Sequence, residues 1–489
     1  MTKATPIVIR DFSRGRITRY SANDFLAPPN SVSNSVNVNY DTLIGSGTVR
    51  SGTTIMGSTS VAAGMSPLGL TEFFTSGSTN TQIGVFTGTS TAFLYYYNTT
   101  WNTSTLTTLN NSAKVRFDQL GGREFLVNGV DAMKSSSDAN VWTTSSSIVG
   151  VFPSLILKTK SRLLVAGDPT YKDRVYFSSI VDTSTDPIIT WSTSPTVGDW
   201  IDINPGDGSN ITGFAEVSSQ VMVFKGAGLY RLDVVSKTVD TKSIYDVGAV
   251  SQEAITTCRG RTYFYSGVDI NRTDGGYPEQ ISRLGVQDFI DAIPQANWAS
   301  VASGNDGLNV YFSIGNVTLN TSKDNQRTYT NVVLKFSTRD ETWSVHSYAQ
   351  TPRRYSNFTS TDGRYMTSAD TLGFVQRVNL GTTDNTTPIY FELETQDQEF
   401  GNRSHTKSFN NLISIYTTNG GPSNLQIQVD NGDWNTVALN ITSPVMNTDQ
   451  IRFSGHFFTF KWFGHSSGTA PVLDGIYLED VIDEGIIKT

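Results

Sequence analysis

The stretch Val221-Met222-Val223-Phe224-Lys225-Gly226-Ala227-Gly228-Leu229-Tyr230-Arg231-Leu232 decides how this chain is read. Two short runs rich in Val, Phe, Leu and Tyr flank a glycine turn, which is the mark of a β-hairpin. Its Gly-Ala-Gly could pass for a dinucleotide fingerprint, but Arg231 replaces the third glycine. Such a fingerprint also belongs between a strand and a helix, not inside a hairpin. The same pattern continues outward on both sides. AFLYYY (92–97), REFLV (123–127), RLLVAG (162–167), DRVYF (173–177), RTYFYS (261–266), LNVYFS (308–313) and NVVLKFS (331–337) are separated by Gly, Asp, Asn and Ser. Several runs are continuously apolar, as strands buried on both faces are.

The hairpin recurs at Val221–Leu232, Thr262–Asn271, Leu308–Trp343 and Arg364–Val378. The interval is irregular, at roughly 40–50 residues, the size of one propeller blade. The reading is therefore all-β: a β-propeller body over 51–380, with an extended N-terminal arm over 1–50 and a C-terminal β-sandwich over 381–489. A stack of separate sandwiches is the other all-β arrangement. Pro28-Pro29 and a Ser/Asn run mark the arm. The loop Gly381–Pro388 opens the last unit, where Asn431-Gly432 suits a type I′ turn. One helix is expected at Val286–Ile293, because Val286, Phe289, Ile290 and Ile293 share a face and Pro294 ends it.

Composition limits the functions. Of 489 residues only 16 % are charged, against about 25 % in an ordinary soluble protein. Aromatics reach 11 %, too many for a disordered chain. No apolar run is long enough to span a membrane as a helix, and the N-terminus has no signal-peptide core. A net charge of −8 offers no general attraction to a phosphate backbone. One cysteine, Cys258, excludes an internal disulfide and a multi-cysteine zinc site, and four histidines, His346, His405, His456 and His465, are too few for a histidine-rich metal cluster.

Chemical motifs do not survive inspection. Asp202–Gly208 loosely resembles a calcium loop, but Gly206 stands where a ligand belongs and no Glu closes it. Ser337–Trp343 misplaces the Asp of a glycosidase turn and reads as a hairpin, with Asp340 and Glu341 in the turn and Trp343 between blades. Glu392, Glu394, Gln396 and Gln398 share one strand face, expected to be solvated or turned to a neighbouring subunit. No catalytic, cofactor-binding or metal-binding residue is assigned, and no enzymatic activity is expected.

The order of motifs resembles one family. Asp11-Phe12-Ser13-Arg14-Gly15 followed by APPNSVSNSVNVNYD (27–41) is similar to the opening of the tail hub, or nozzle, proteins of short-tailed phages (podoviruses). Residues 200–232 and 246–293 resemble blades of that family, and 387–416, VDNGDW (429–434) and LDGIYLED (473–480) resemble its terminal β domain. Arg14 departs from the family's glycine, and 51–160 matches little, which leaves the number of blades open.

The resemblance implies a structural virion protein, assembled in the host cytoplasm, forming a homo-oligomeric ring at the distal end of the tail. Six copies are usual in the family. Expected partners are the tail adaptor protein, tail fibre or spike proteins, and genome DNA passing through the lumen without specific binding. Competing readings are a propeller glycosidase acting on host surface polysaccharide and a receptor-binding tail component. Arg10, Arg14, Arg16 and Arg19 stand out in the arm of an acidic protein and are the candidate inter-subunit contacts. The arm itself is expected to lie across a neighbour or under the adaptor. The alternative is an arm lying back on its own propeller and donating a strand to close it.

Overall fold

A computed structural model describes residues 6–18, 28, 30–43, 45–57, 59–75, 80–145, 150–181, 190–191, 199–320, 326–418, 423–441, 445–448 and 452–485. Among them are six four-stranded antiparallel sheets and, within a ten-stranded sheet, a seventh set of four antiparallel strands; together these form the seven blades of a β-propeller. Their innermost strands are Pro67–Phe74, Arg116–Leu120, Leu155–Thr159, Ile211–Val217, Ile255–Cys258, Ala302–Asn305 and Pro352–Ser360, which head blades 1 to 7. Each innermost strand touches the next, and that of blade 7 touches that of blade 1, so the ring closes. Closure removes the exposed sheet edges that an open array would present.

The Val221–Leu232 hairpin is the centre of blade 4, where Lys225 pairs with Gly228 across a two-residue turn. Its apolar run is buried on both faces: Val221 and Val223 face one neighbouring blade, Met222 and Phe224 the other. The expected helix is present as Gln287–Asp291, with Val286, Phe289, Ile290 and Ile293 buried against blades 5 and 6. Trp343 packs on Phe336 and donates its indole N–H to Ile281 O at 2.9 Å, joining blade 6 to blade 5. The turn at 429–432 is shifted by one from expectation. Asp430 (φ 49°) and Asn431 (φ 59°) are its central pair, and Gly432 donates its N–H to Val429 O. Asp tolerates the left-handed region there while its carboxylate caps His456 N and Phe457 N.

The last blade is not completed by the chain that follows it. Its fourth strand is Thr53–Ile55, which pairs with Val375–Val378. The chain entering this strand also builds the second unit. Val32–Val36 pairs with Thr387–Thr395, Gly47–Val49 with Val472–Glu479, and Ile7–Ile9 with the same strand further along. These strands extend two sheets that enclose one core. Phe391, Leu393, Phe460 and Trp462 on one side meet Leu412, Leu473, Ile476 and Leu478 on the other, with Ile9, Val38 and Val49 of the arm among them.

The described residues of the arm therefore pack on their own chain instead of projecting from it. Its alternating Val32, Val36 and Val38 are apolar strand faces that need a sheet to cover them. The seam between the units is tight. Gly52 N donates to Gly381 O at 2.9 Å, and a Cβ at Gly52 would lie 2.0 Å from Thr383 O.

Candidate functional site

The innermost strands of the blades converge on the propeller's central channel, and a concave pocket at its mouth is the kind of place where a ligand binds. Leu70 and Thr71 of blade 1, Arg116 and Phe117 of blade 2, Ala302 and Ser303 of blade 6, and Arg354 and Tyr355 of blade 7 line a cavity of about 190 Å³. Gln252 and Glu253 complete it from a short turn, Gln252–Ala254, that precedes the innermost strand of blade 5. The Gln252 carboxamide is anchored to blade 4, donating to Phe214 O at 3.0 Å and accepting from Phe214 N at 2.6 Å.

Glu253 reaches the opposite side of the ring. Its carboxylate accepts from Arg116 Nε (2.9 Å) and Nη2 (3.1 Å) and from Lys114 Nζ (2.9 Å). Blades 2 and 5 are not neighbours, so these bonds cross the axis. Burial works against the charged carboxyl, but Arg116, Lys114 and Arg354 outweigh it and hold Glu253 well below the usual carboxylate range. It is a permanent anion at neutral pH and cannot act as a general acid there. Glu253 is also the sole carboxylate among the described residues lining this cavity.

Two other carboxyls near the inner strands behave differently. Burial pushes Asp118 up to about 6, although it accepts backbone N–H groups from Gln119 and Lys158. Burial and the Asp118 charge push Glu124 well above its ordinary value. Neither lines the axial mouth.

The sequence motifs resolve into structural parts. The calcium-like loop is filled by an ammonium group: Lys225 Nζ donates to Asp207 Oδ1 (2.7 Å), Asp173 Oδ1 (2.8 Å) and Ile203 O (3.0 Å). Cys258 is buried, and its thiol is pushed up to about 11 by desolvation. Glu392 is neither solvated nor free for a neighbour. It is 1 % exposed and forms a bidentate pair with Arg327 of blade 6 at 2.7 and 2.9 Å, with Asn34 of the arm adding a bond at 3.0 Å. The sandwich strand presses this face against the propeller, which alternation along the strand does not reveal.

The four arm arginines separate. Arg16 is buried and forms a bidentate pair with Asp288 at 2.9 and 2.6 Å while stacking on Phe289. Its guanidinium is engaged within its own chain. Arg14 is exposed on a groove of about 560 Å³ that also holds Arg272 and Arg283. Arg10 is exposed beside Gly475 of the sandwich. Arg19 lies outside the described residues.

Sequence reading did not single out Glu253, Lys114, Arg116 or Arg354. They are distributed over blades 2, 5 and 7, and only ring closure brings them together.

No family model and no curated protein matches the chain. Among solved structures, BamB from Moraxella catarrhalis is 12 % identical, covering 77 % of this chain and 98 % of its own at a TM-score of 0.35. The N-terminal domain of Nup159 is 9 % identical over 67 % of this chain and 95 % of its own, with a TM-score of 0.37. An exo-β-1,3-galactanase from Phanerochaete chrysosporium is 11 % identical over 77 % and 97 %, with a TM-score of 0.26. What each of these does belongs to that protein alone. The class defined by this chain's own topology is an all-β protein with a propeller body and an interlocked sandwich.

Proposed function

We propose that this chain is a structural component of a short-tailed phage tail. In this reading further copies of the chain join it in the distal ring that encloses the DNA exit channel. The observation that carries the proposal is the interlock of its two units. One N-terminal segment completes both the sandwich and blade 7, so neither unit can swing without breaking strands of the other. A conduit wall needs that stiffness. The order of motifs from Asp11 to Asp480 adds the resemblance to tail hub proteins.

The propeller's own axis is not the conduit. Glu253, Arg116 and Lys114 cross it, and a cavity of about 190 Å³ admits no duplex. DNA would pass through the space enclosed by several copies. A glycosidase would gather an acid and a base at the axial mouth, where Glu253, the one carboxylate among the described residues lining it, is tied to two cations.

The test is made on virions of the phage encoding this chain. The protein is expected in purified tails at a fixed ratio to the adaptor, and loss of its gene is expected to leave filled heads with incomplete tails. Complete, infectious tails lacking the chain would overturn the proposal.

A further inference from the structure

The axial mouth carries more positive charge than the fold consumes. Lys114 and Arg116 from blade 2 and Arg354 from blade 7 surround one carboxylate, that of Glu253, an excess of two positive charges (3 − 1). Arg116 is fully engaged, with Nε and Nη2 on Glu253 and Nη1 on Ser154 O at 2.6 Å. Lys114 is divided between Glu253 and Ala299 O.

Arg354 differs from both. Its Nε donates to Leu68 O at 2.9 Å and its Nη1 to Arg353 O at 2.7 Å, both neutral carbonyls. Glu253 acts on it through the field alone, while Arg116 and Arg353 repel it. The guanidinium is half-buried on the cavity wall with no carboxylate bonded to it among the described residues. Desolvation lowers the pKa of both Arg354 and Lys114, as expected where partners do not replace the lost hydration.

We propose that the axial mouth is a binding site for a tetrahedral oxyanion, phosphate or sulfate. Arg354 donates to it, and Arg116 and Lys114 supply the surrounding field. A guanidinium presents planar donors suited to such an ion, and charge-assisted bonds are strongest where water is scarce. A cavity of about 190 Å³ holds one such ion with several waters, each of which occupies about 30 Å³ in the liquid. This site stands independently of the tail assignment, because it depends only on the closed axis.

The full-length chain is titrated with inorganic phosphate at constant ionic strength set by chloride, read by calorimetry and by broadening of the phosphorus resonance. Saturable binding at millimolar phosphate or tighter is expected. Arg354→Gln is expected to weaken it about tenfold or more, the loss of one charge-assisted bond. Arg283→Gln, on the outer groove, is expected to leave it unchanged. Glu253→Gln removes the competing carboxylate and is expected to tighten binding, which keeps the test open should Arg354→Gln not fold. No saturable binding by the unmodified chain overturns the proposal. So does binding unchanged in Arg354→Gln, or unchanged or weaker in Glu253→Gln.

Discussion

Arg50 and Asp384, 334 positions apart, meet as a buried bidentate pair, Nη1 to Oδ1 at 2.8 Å and Nη2 to Oδ2 at 2.6 Å. Every nitrogen of this guanidinium is engaged. Nε donates to Asn37 Oδ1 at 2.7 Å, Nη2 also to Ser347 O at 2.7 Å, and Nη1 also to Ser51 O at 3.0 Å. The ring of Tyr348 lies 4.0 Å from its carbon centre. Arm, blade 6 and the entry to the sandwich thus converge on one side chain. Removing one member of such a pair strands a buried charge, at a cost of about 3–5 kcal/mol. Arg50→Met and Asp384→Asn are each expected to lower the melting temperature sharply. The double replacement Arg50→Met with Asp384→Leu is expected to recover part of the loss, because no charge remains unpaired. Calorimetric melting of the four proteins checks this.

The arm is part of the fold, which fixes the outcome of truncation. Deleting residues 1–30 removes the strand Ile7–Ile9 and Phe12, which is 1 % exposed, and leaves Asp288 without Arg16. The shortened protein is expected to melt well below the full chain even as an isolated monomer. Unchanged melting would show that these contacts contribute nothing.

How much of this was legible follows from the range of each interaction. Hairpins such as Val221–Leu232 and the helical face Val286–Ile293 are local, and their residue types specify them within a few positions. The seventh blade could not be counted from sequence, because its fourth strand, Thr53–Ile55, precedes the first blade in the chain. Alternation around Glu392 shows which side chains share a face and not what covers that face; Arg327 covers it. Glu253 carries no local signal at all. It becomes the axial anion only when ring closure sets it opposite Lys114 and Arg116.

Acid is expected to destabilise the protein in two steps. His346 is fully buried, its Nε2 hydrogen-bonded to Asn39 Oδ1 at 2.9 Å, and desolvation, Arg50 and Lys335 hold its pKa well below 6.5. The unfolded chain binds a proton there below about pH 6.5 and the folded chain does not, so its stabilising contribution is lost as pH falls through that value. Glu253, held well below 4.5, adds a second loss as pH falls below its unfolded value. His346→Gln is expected to flatten the first step alone, as measured by denaturant midpoints across pH 4–8.

Asp118 acts in the opposite direction. Its folded pKa of about 6 exceeds the ordinary 3.8, so the folded state binds the extra proton between these values. Stability from this group is full at low pH and is lost as pH rises through about 6. At pH 8 the ionised group costs at most about 3 kcal/mol, at about 1.4 kcal/mol per pKa unit. Asp118→Asn is expected to gain on the unmodified chain between pH 4 and pH 8. A constant difference between the two proteins over that range would contradict the assignment.

The proposed tail role requires a stiff, interlocked body that assembles with further copies into a ring. Negative-stain imaging of the purified full-length chain, alone and mixed with the tail adaptor, is the test of that requirement. Closed rings with an open centre, formed under at least one of these conditions, are the predicted result. Dispersed single particles under both conditions would contradict it.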